Sequence, residues 1–193
     1  MTILTSYTPL TYDRQMITEA LKGDGPVILK NVLLQRANAK NQNGRIYPLE
    51  ILMREANKYK AFIAERRALG ELDHPESPVV NLKNVSHNIS EMWFNGDDLM
   101  GNLEVLSTPS GNILKELLKN NIKLGISSRG LGSVKEIDEA TVQVEDDFSL
   151  ISFDCVSNPS TQGAFLSENI VARKANPWDK VNSLVYDFLA EIK

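Results

Sequence analysis

Cysteine occurs once in this 193-residue chain, at Cys155. An internal disulfide framework is therefore excluded, and a reducing compartment is the simplest setting. Histidine occurs twice, at His74 and His87. Two separated histidines and one cysteine give no zinc-type ligand spacing. The acidic pairs Asp97-Asp98 and Asp146-Asp147 lack the twelve-residue pattern of a calcium loop. No metal or other cofactor is expected. No apolar run approaches the ~20 residues that span a bilayer. Residues 1–10 have no basic region followed by an apolar stretch, so a signal peptide is not expected. The reading is a soluble, intracellular protein with no membrane partner. Basic excess is also missing: 21 Lys and Arg stand against 25 Asp and Glu, a net charge of −4. A nucleic-acid partner is not expected, because phosphate backbones select a basic footprint. The one basic cluster, Arg66-Arg67, ends a helical pattern, where the helix dipole favours cations.

What remains is an ordinary core-forming composition, 42% hydrophobic, enough for one domain. Residues 1–25 show no strong periodicity and end in Lys22-Gly23-Asp24-Gly25-Pro26, which reads as a loosely attached arm or propeptide. Val27 to Leu34 reads as a strand and 37–47 as a polar loop. Ile51, Leu52, Ala56, Tyr59, Phe62 and Ile63 recur at helical spacing, with Glu55 the polar exception, and predict a helix over 49–67. Strands follow at 85–94 and 99–106, joined by the hairpin signal Asn95-Gly96-Asp97-Asp98. A short helix to about Asn121, then extended segments at 124–128, 131–137, 141–144 and 148–156, complete the main body, 26–166. Residues 167–193 read as a linker and a C-terminal amphipathic helix from Trp178 to Ile192. Many strands and few helices predict an α+β fold, mainly antiparallel, with a barrel-like sheet and surrounding helices.

Two places could carry chemistry. Leu124 to Ser133 sets glycines 125, 130 and 132 around Ser127 and Ser128. Such a stretch can expose a hydroxyl and bring backbone N–H groups to an oxyanion. Equally, it reads as a glycine-rich strand and turn that packs tightly. It lacks the third glycine of a dinucleotide fingerprint and the Gly-Lys-Ser/Thr of a phosphate loop. His74 stands in Gly70-Glu71-Leu72-Asp73-His74-Pro75, a loop setting that suits a general base. His87 lies in a strand pattern, and Cys155 in an apolar run reads as a small buried hydrophobe.

Three segments resemble the prohead (capsid-maturation) proteases of T-even-like tailed bacteriophages: residues 41–48 (Asn-Gln-Asn-Gly-Arg-Ile-Tyr-Pro), 68–75 (Ala-Leu-Gly-Glu-Leu-Asp-His-Pro) and 125–133 (Gly-Ile-Ser-Ser-Arg-Gly-Leu-Gly-Ser). Their order and spacing agree as well, and Glu91-Met92-Trp93-Phe94 is a weaker fourth match. The resemblance implies an assemblin-like fold, shared with herpesvirus maturation proteases, and a serine endopeptidase. Carried over by motif, His74 is the general base and Ser127 the nucleophile, with Ser128 the near alternative. Asp154 is the expected third catalytic member, with Glu71 and Asp73 its rivals. Arg129 and Gly130 could supply oxyanion N–H groups, and the Arg129 side chain could attract acidic substrate or lie at the surface of a turn.

The family cuts after Glu with Leu or Ile two residues earlier. Ile17-Thr18-Glu19, Leu166-Ser167-Glu168 and Leu189-Ala190-Glu191 fit that pattern, so self-cleavage of a zymogen is expected at Glu19, Glu168 or Glu191. The implied partners are phage scaffolding or core proteins and the major capsid protein, with self-association possible. The implied location is the prohead interior in the host cytoplasm. Two alternatives stand beside this: a catalytically inactive core or scaffold component, and an unrelated Ser-His esterase.

Overall fold

A computed structural model describes residues 2–10, 26–73 and 77–157. The 167–193 segment, His74 and the candidate cleavage residues Glu19, Glu168 and Glu191 lie outside these.

Twelve elements follow one another along the described chain. Strands β1 (Thr2–Pro9), β2 (Val27–Arg36) and β3 (Arg45–Ile46) lead into helix α1 (Leu49–Ala64). Strands β4 (Leu69–Glu71), β5 (Val85–Asn95) and β6 (Asp98–Val105) precede helix α2 (Pro109–Lys119). Strands β7 (Gly125–Gly132), β8 (Val134–Asp138), β9 (Thr141–Val144) and β10 (Ser149–Val156) close the series. The mixed α+β, mainly antiparallel expectation holds.

The barrel does not. The strands form three sheets, ordered β1-β7-β10, β2-β6-β5-β4 and β3-β9-β8, and no closed barrel is found among the described residues. Among the described residues, one isolated backbone bridge joins the first two sheets, the parallel pair Leu72 and Cys155. The reason is local. At the outer edge of β10 the Phe153 carbonyl is met by the His87 ring Nε2 at 2.9 Å, a side chain in place of a ladder partner. On the far side the Thr8 hydroxyl donates to the Leu34 carbonyl at 3.3 Å, again a side-chain contact between sheets.

The opening residues correct a second expectation. Thr2–Pro9, read as part of a loose arm, pair antiparallel with β7 along their whole length. Leu4 is 1% exposed and joins the core. The inward positions of β1 are Leu4, Ser6 and Thr8. Two of the three are polar, so the strand shows no apolar alternation for sequence reading to find.

Helix α1 buries Ile51, Leu52, Ala56 and Tyr59, with Glu55 on the same face. Glu55 accepts from Arg54 Nε at 2.9 Å, Lys58 Nζ at 2.8 Å and the Leu150 N–H at 3.1 Å. Burial raises its pKa, but the Lys58, Arg54 and Leu150 bonds prevail and hold it below the usual carboxylate value. The last bond lies at the β10 bulge between Leu150 and Ser152. The polar residue on the apolar face therefore serves an irregular strand. Helix α2 begins at Thr108, whose side chain accepts the Gly111 N–H at 3.0 Å, with Pro109 following in the first turn. The β5–β6 hairpin turns at Gly96, φ +60°, the first central residue of a two-residue turn.

Gly70 stands at the junction of the two sheets. A Cβ there would land on the Phe153 carbonyl oxygen and the His87 imidazole. Overpacking of this kind costs about 1–3 kcal/mol or more, and a carbonyl gives way less readily than a side-chain end. Gly70→Ala is expected to lower the unfolding free energy by that much, read as a lower urea midpoint; an unchanged midpoint contradicts this packing.

Candidate active site

Strand β7 is the middle strand of its sheet, and successive side chains on it face opposite ways. Ser127 pairs in register with Tyr7 on one side and Asp154 on the other. Ser128 pairs with Ser6 and Phe153, and Ile126 with Cys155. One face of the sheet thus carries Ser127, Arg129, Ser152 and Asp154. The other carries Ile126, Ser128, Phe153 and Cys155, with the Phe153 ring edge-on to Tyr59 at 5.6 Å between centroids. Ser128 Oγ, on that inner face, is buried with no hydrogen-bond partner among the described residues.

Arg129 is neither in a turn nor at the surface. Its side chain is fully buried. Nε donates to Asp154 Oδ2 at 2.9 Å and Ser152 Oγ at 3.2 Å. Nη2 donates to Glu71 Oε1 at 2.7 Å, and Nη1 to the Ser77 carbonyl at 2.6 Å. A guanidinium so enclosed cannot attract an acidic substrate. Gly130 and the Arg129 backbone, expected to help bind an oxyanion, lie on β7 between β1 and β10, where the β10 ladder shifts register between Leu150 and Ser152.

Asp154 is fully buried and its carboxylate is crowded with donors. Besides the Arg129 bonds, Oδ1 accepts the Glu71 N–H at 3.0 Å and Oδ2 the Ser152 hydroxyl at 3.2 Å. Burial pushes its pKa up, opposed by the Glu71 N–H, Arg129 and Ser152. Glu71, one of its rivals in the sequence reading, binds Arg129 and also accepts the Asn81 N–H at 3.0 Å. Asp73, the other, has φ +64° and donates its N–H to the Cys155 carbonyl at 2.7 Å. The left-handed backbone is cheap for Asn, Asp or Gly and costly for branched residues.

His74 itself is outside the described residues, but both of its neighbouring stretches are fixed. Leu72 and Asp73 lie on β10 at Cys155, one pair along from Asp154–Ser127, and Ser77 is held by Arg129. Tyr7, not singled out from sequence, leans its ring over Gly125, where a side chain would collide with it. Burial raises the Tyr7 pKa. Ser77 and Ser152 were also missed. A legible signal existed for part of this: Ser127 and Arg129 on β7, and Ser152 and Asp154 on β10, are polar stripes of period two.

Comparisons with known proteins identify the family and the fold. The family model of the prohead core protein serine protease matches residues 11–175. The chain belongs to that family. A curated relative, the prohead core protein protease of Enterobacteria phage T4, is 32% identical over 141 residues, 70% of this chain and 66% of the relative. The match therefore spans just under two thirds of that relative's length. A solved structure of the bacteriophage T4 capsid assembly protease superposes with a TM-score of 0.70 at 23% identity, covering 82% of this chain and 98% of that one. At that identity the likeness is one of fold.

His87 has no part in this family member's polar face. Its ring is fully buried, with Nδ1 2.9 Å from the Ser86 hydroxyl. A carbonyl can only accept, so Nε2 carries the proton toward Phe153 and Nδ1 accepts. Burial lowers its pKa to about 4, against the Phe153 bond. The Cys155 thiol, 3.6 Å from Nδ1, is pushed up by burial and remains a thiol. Because the folded pKa of His87 lies below the unfolded value near 6.5, its neutral state contributes stability above that pH. That contribution is lost as pH falls from about 6.5 toward 4. Of the two histidine signals in an NMR titration, the one removed by His87→Gln is expected to stay neutral down to about pH 5. A midpoint near 6.5 for that signal contradicts the buried assignment.

Proposed function

We propose that this chain is a serine endopeptidase that cuts phage scaffolding or core proteins and the major capsid protein inside the prohead during head maturation. Ser127 is the nucleophile and His74 the general base. The observation that carries this is the strand alternation of β7. It sets Ser127 beside Asp154, on the face to which the stretches flanking His74 are tied, and turns Ser128 to the apolar interior. His74 takes the Ser127 proton, Ser127 attacks the substrate carbonyl, and His74 then protonates the leaving amine. Water hydrolyses the acyl-enzyme by the same route.

Asp154 joins the site in this proposal through its charge and its place beside Ser127. Its oxygens already accept from Arg129, Glu71 and Ser152, so its effect on His74 is electrostatic and positional. The assemblin-like ancestry belongs to the same proposal and rests on the motif order, histidine before serine.

Cleavage after Glu, preceded by Leu or Ile two residues earlier, fits Glu19, Glu168 and Glu191 of the chain itself. Ser127 is only 2% exposed. That suits an enzyme held back until the head has assembled.

Ser127→Ala is expected to abolish hydrolysis of a Leu-x-Glu peptide and labelling by a fluorophosphonate, while Ser128→Ala retains both. The reverse pattern reassigns the nucleophile. Mass spectrometry of the full chain against Ser127→Ala is expected to show trimming at Glu19 or Glu168 only in the active form. Identical termini in both remove self-cleavage from the proposal.

A further inference from the structure

We infer that Arg129 is a positioning residue: its guanidinium fixes the segment that carries His74 against the strand that carries Ser127. The inference rests on the Ser127–His74 reading above and deepens it.

Arg129 follows Ser127 by two residues and shares its face of β7. From there it bonds the chain on both sides of His74. Nη2 holds the Glu71 carboxylate, three residues before His74. Nη1 holds the Ser77 carbonyl, three residues after it. Nε holds Asp154, whose other oxygen accepts the Glu71 N–H, so the near side is gripped twice. Glu71 Oε1 also accepts the Asn81 N–H, which ties the chain beyond Ser77 to the same carboxylate. One planar group therefore connects β4, the stretch after His74 and β10 to the nucleophile strand.

The choice of arginine follows from this geometry. Besides Ser152, three acceptors, on Glu71, Ser77 and Asp154, surround one group, and a guanidinium fork presents fixed donors to each. A lysine ammonium is a single point at the end of a flexible stem and cannot reach all three from the same anchor. Glu71, Arg129 and Asp154 are fully buried, so water does not compete for these bonds. All three guanidinium nitrogens are engaged by protein acceptors, so in this reading the side chain acts through them and not on substrate. Its effect on the reaction passes through the distance between Ser127 and His74, and reacting groups displaced by about 1 Å lose about 100-fold in rate.

The test uses the full chain with Arg129→Lys, Glu71→Leu and Glu71→Gln, each assayed below its own unfolding midpoint. Arg129→Lys and Glu71→Leu are expected to lower kcat on the peptide, and the fluorophosphonate labelling rate, by about 100-fold with KM unchanged. Glu71→Gln keeps an amide oxygen for both Arg129 Nη2 and Asn81 N–H and is expected to restore kcat. Folded Arg129→Lys and Glu71→Leu proteins with wild-type kcat overturn the inference, because a merely structural role shifts only the unfolding midpoint. Should both fail to fold, Glu71→Gln decides: near wild-type kcat supports the hydrogen-bonded clamp, and a loss of more than about tenfold overturns it. Activity surviving in His74→Ala or Ser127→Ala sinks the parent reading instead, a result distinguishable from any Arg129 outcome.

Discussion

The buried guanidinium of Arg129 is the contact on which the rest of the site depends. It stands on the central strand of one sheet and binds carboxylates from β4 and β10 and a carbonyl from the loop after β4. Burying a charge is costly unless it is paired and hydrogen-bonded, and here every nitrogen of the guanidinium has an acceptor. Breaking such an arrangement by removing one member typically costs about 3–5 kcal/mol, since the remaining charges stay buried without compensation. The group is therefore coupled to folding.

Around that contact the two larger sheets are joined by few and specific links. One backbone bridge, the His87–Phe153 bond and the Thr8–Leu34 bond connect them, and Gly70 leaves the space that the imidazole and carbonyl need. The junction is polar but buried, which is why His87 stays neutral and Cys155 stays protonated. These are structural uses of residues that in isolation look like chemistry.

Much of the fold was legible. The β5–β6 hairpin, α1, α2 and β10 appear within a few residues of their expected bounds, because each has clear periodicity and turn residues. β1 was not legible, since its inward positions include Ser6 and Thr8. β4 is three residues long, too short for any pattern to register. The barrel was inferred from strand number alone, and strand number does not say which edges meet. In the site, Arg129 was misplaced because the glycines on either side of it suggested a turn, whereas they accommodate the Tyr7 and Phe148 rings against a flat, buried strand.

The sequence alone determined the family, through three motifs in fixed order, and with it the residue types available for chemistry: one loop histidine and two adjacent serines. It also determined that one of those serines must face away from the other, since strand geometry alternates. Only the tertiary structure decided which serine shares a face with Asp154, and that Arg129 is an interior clamp. Those facts depend on cross-strand register and on burial, and both arise from contacts between residues distant in sequence, such as Ser127 with Asp154 and Arg129 with Glu71 and Ser77.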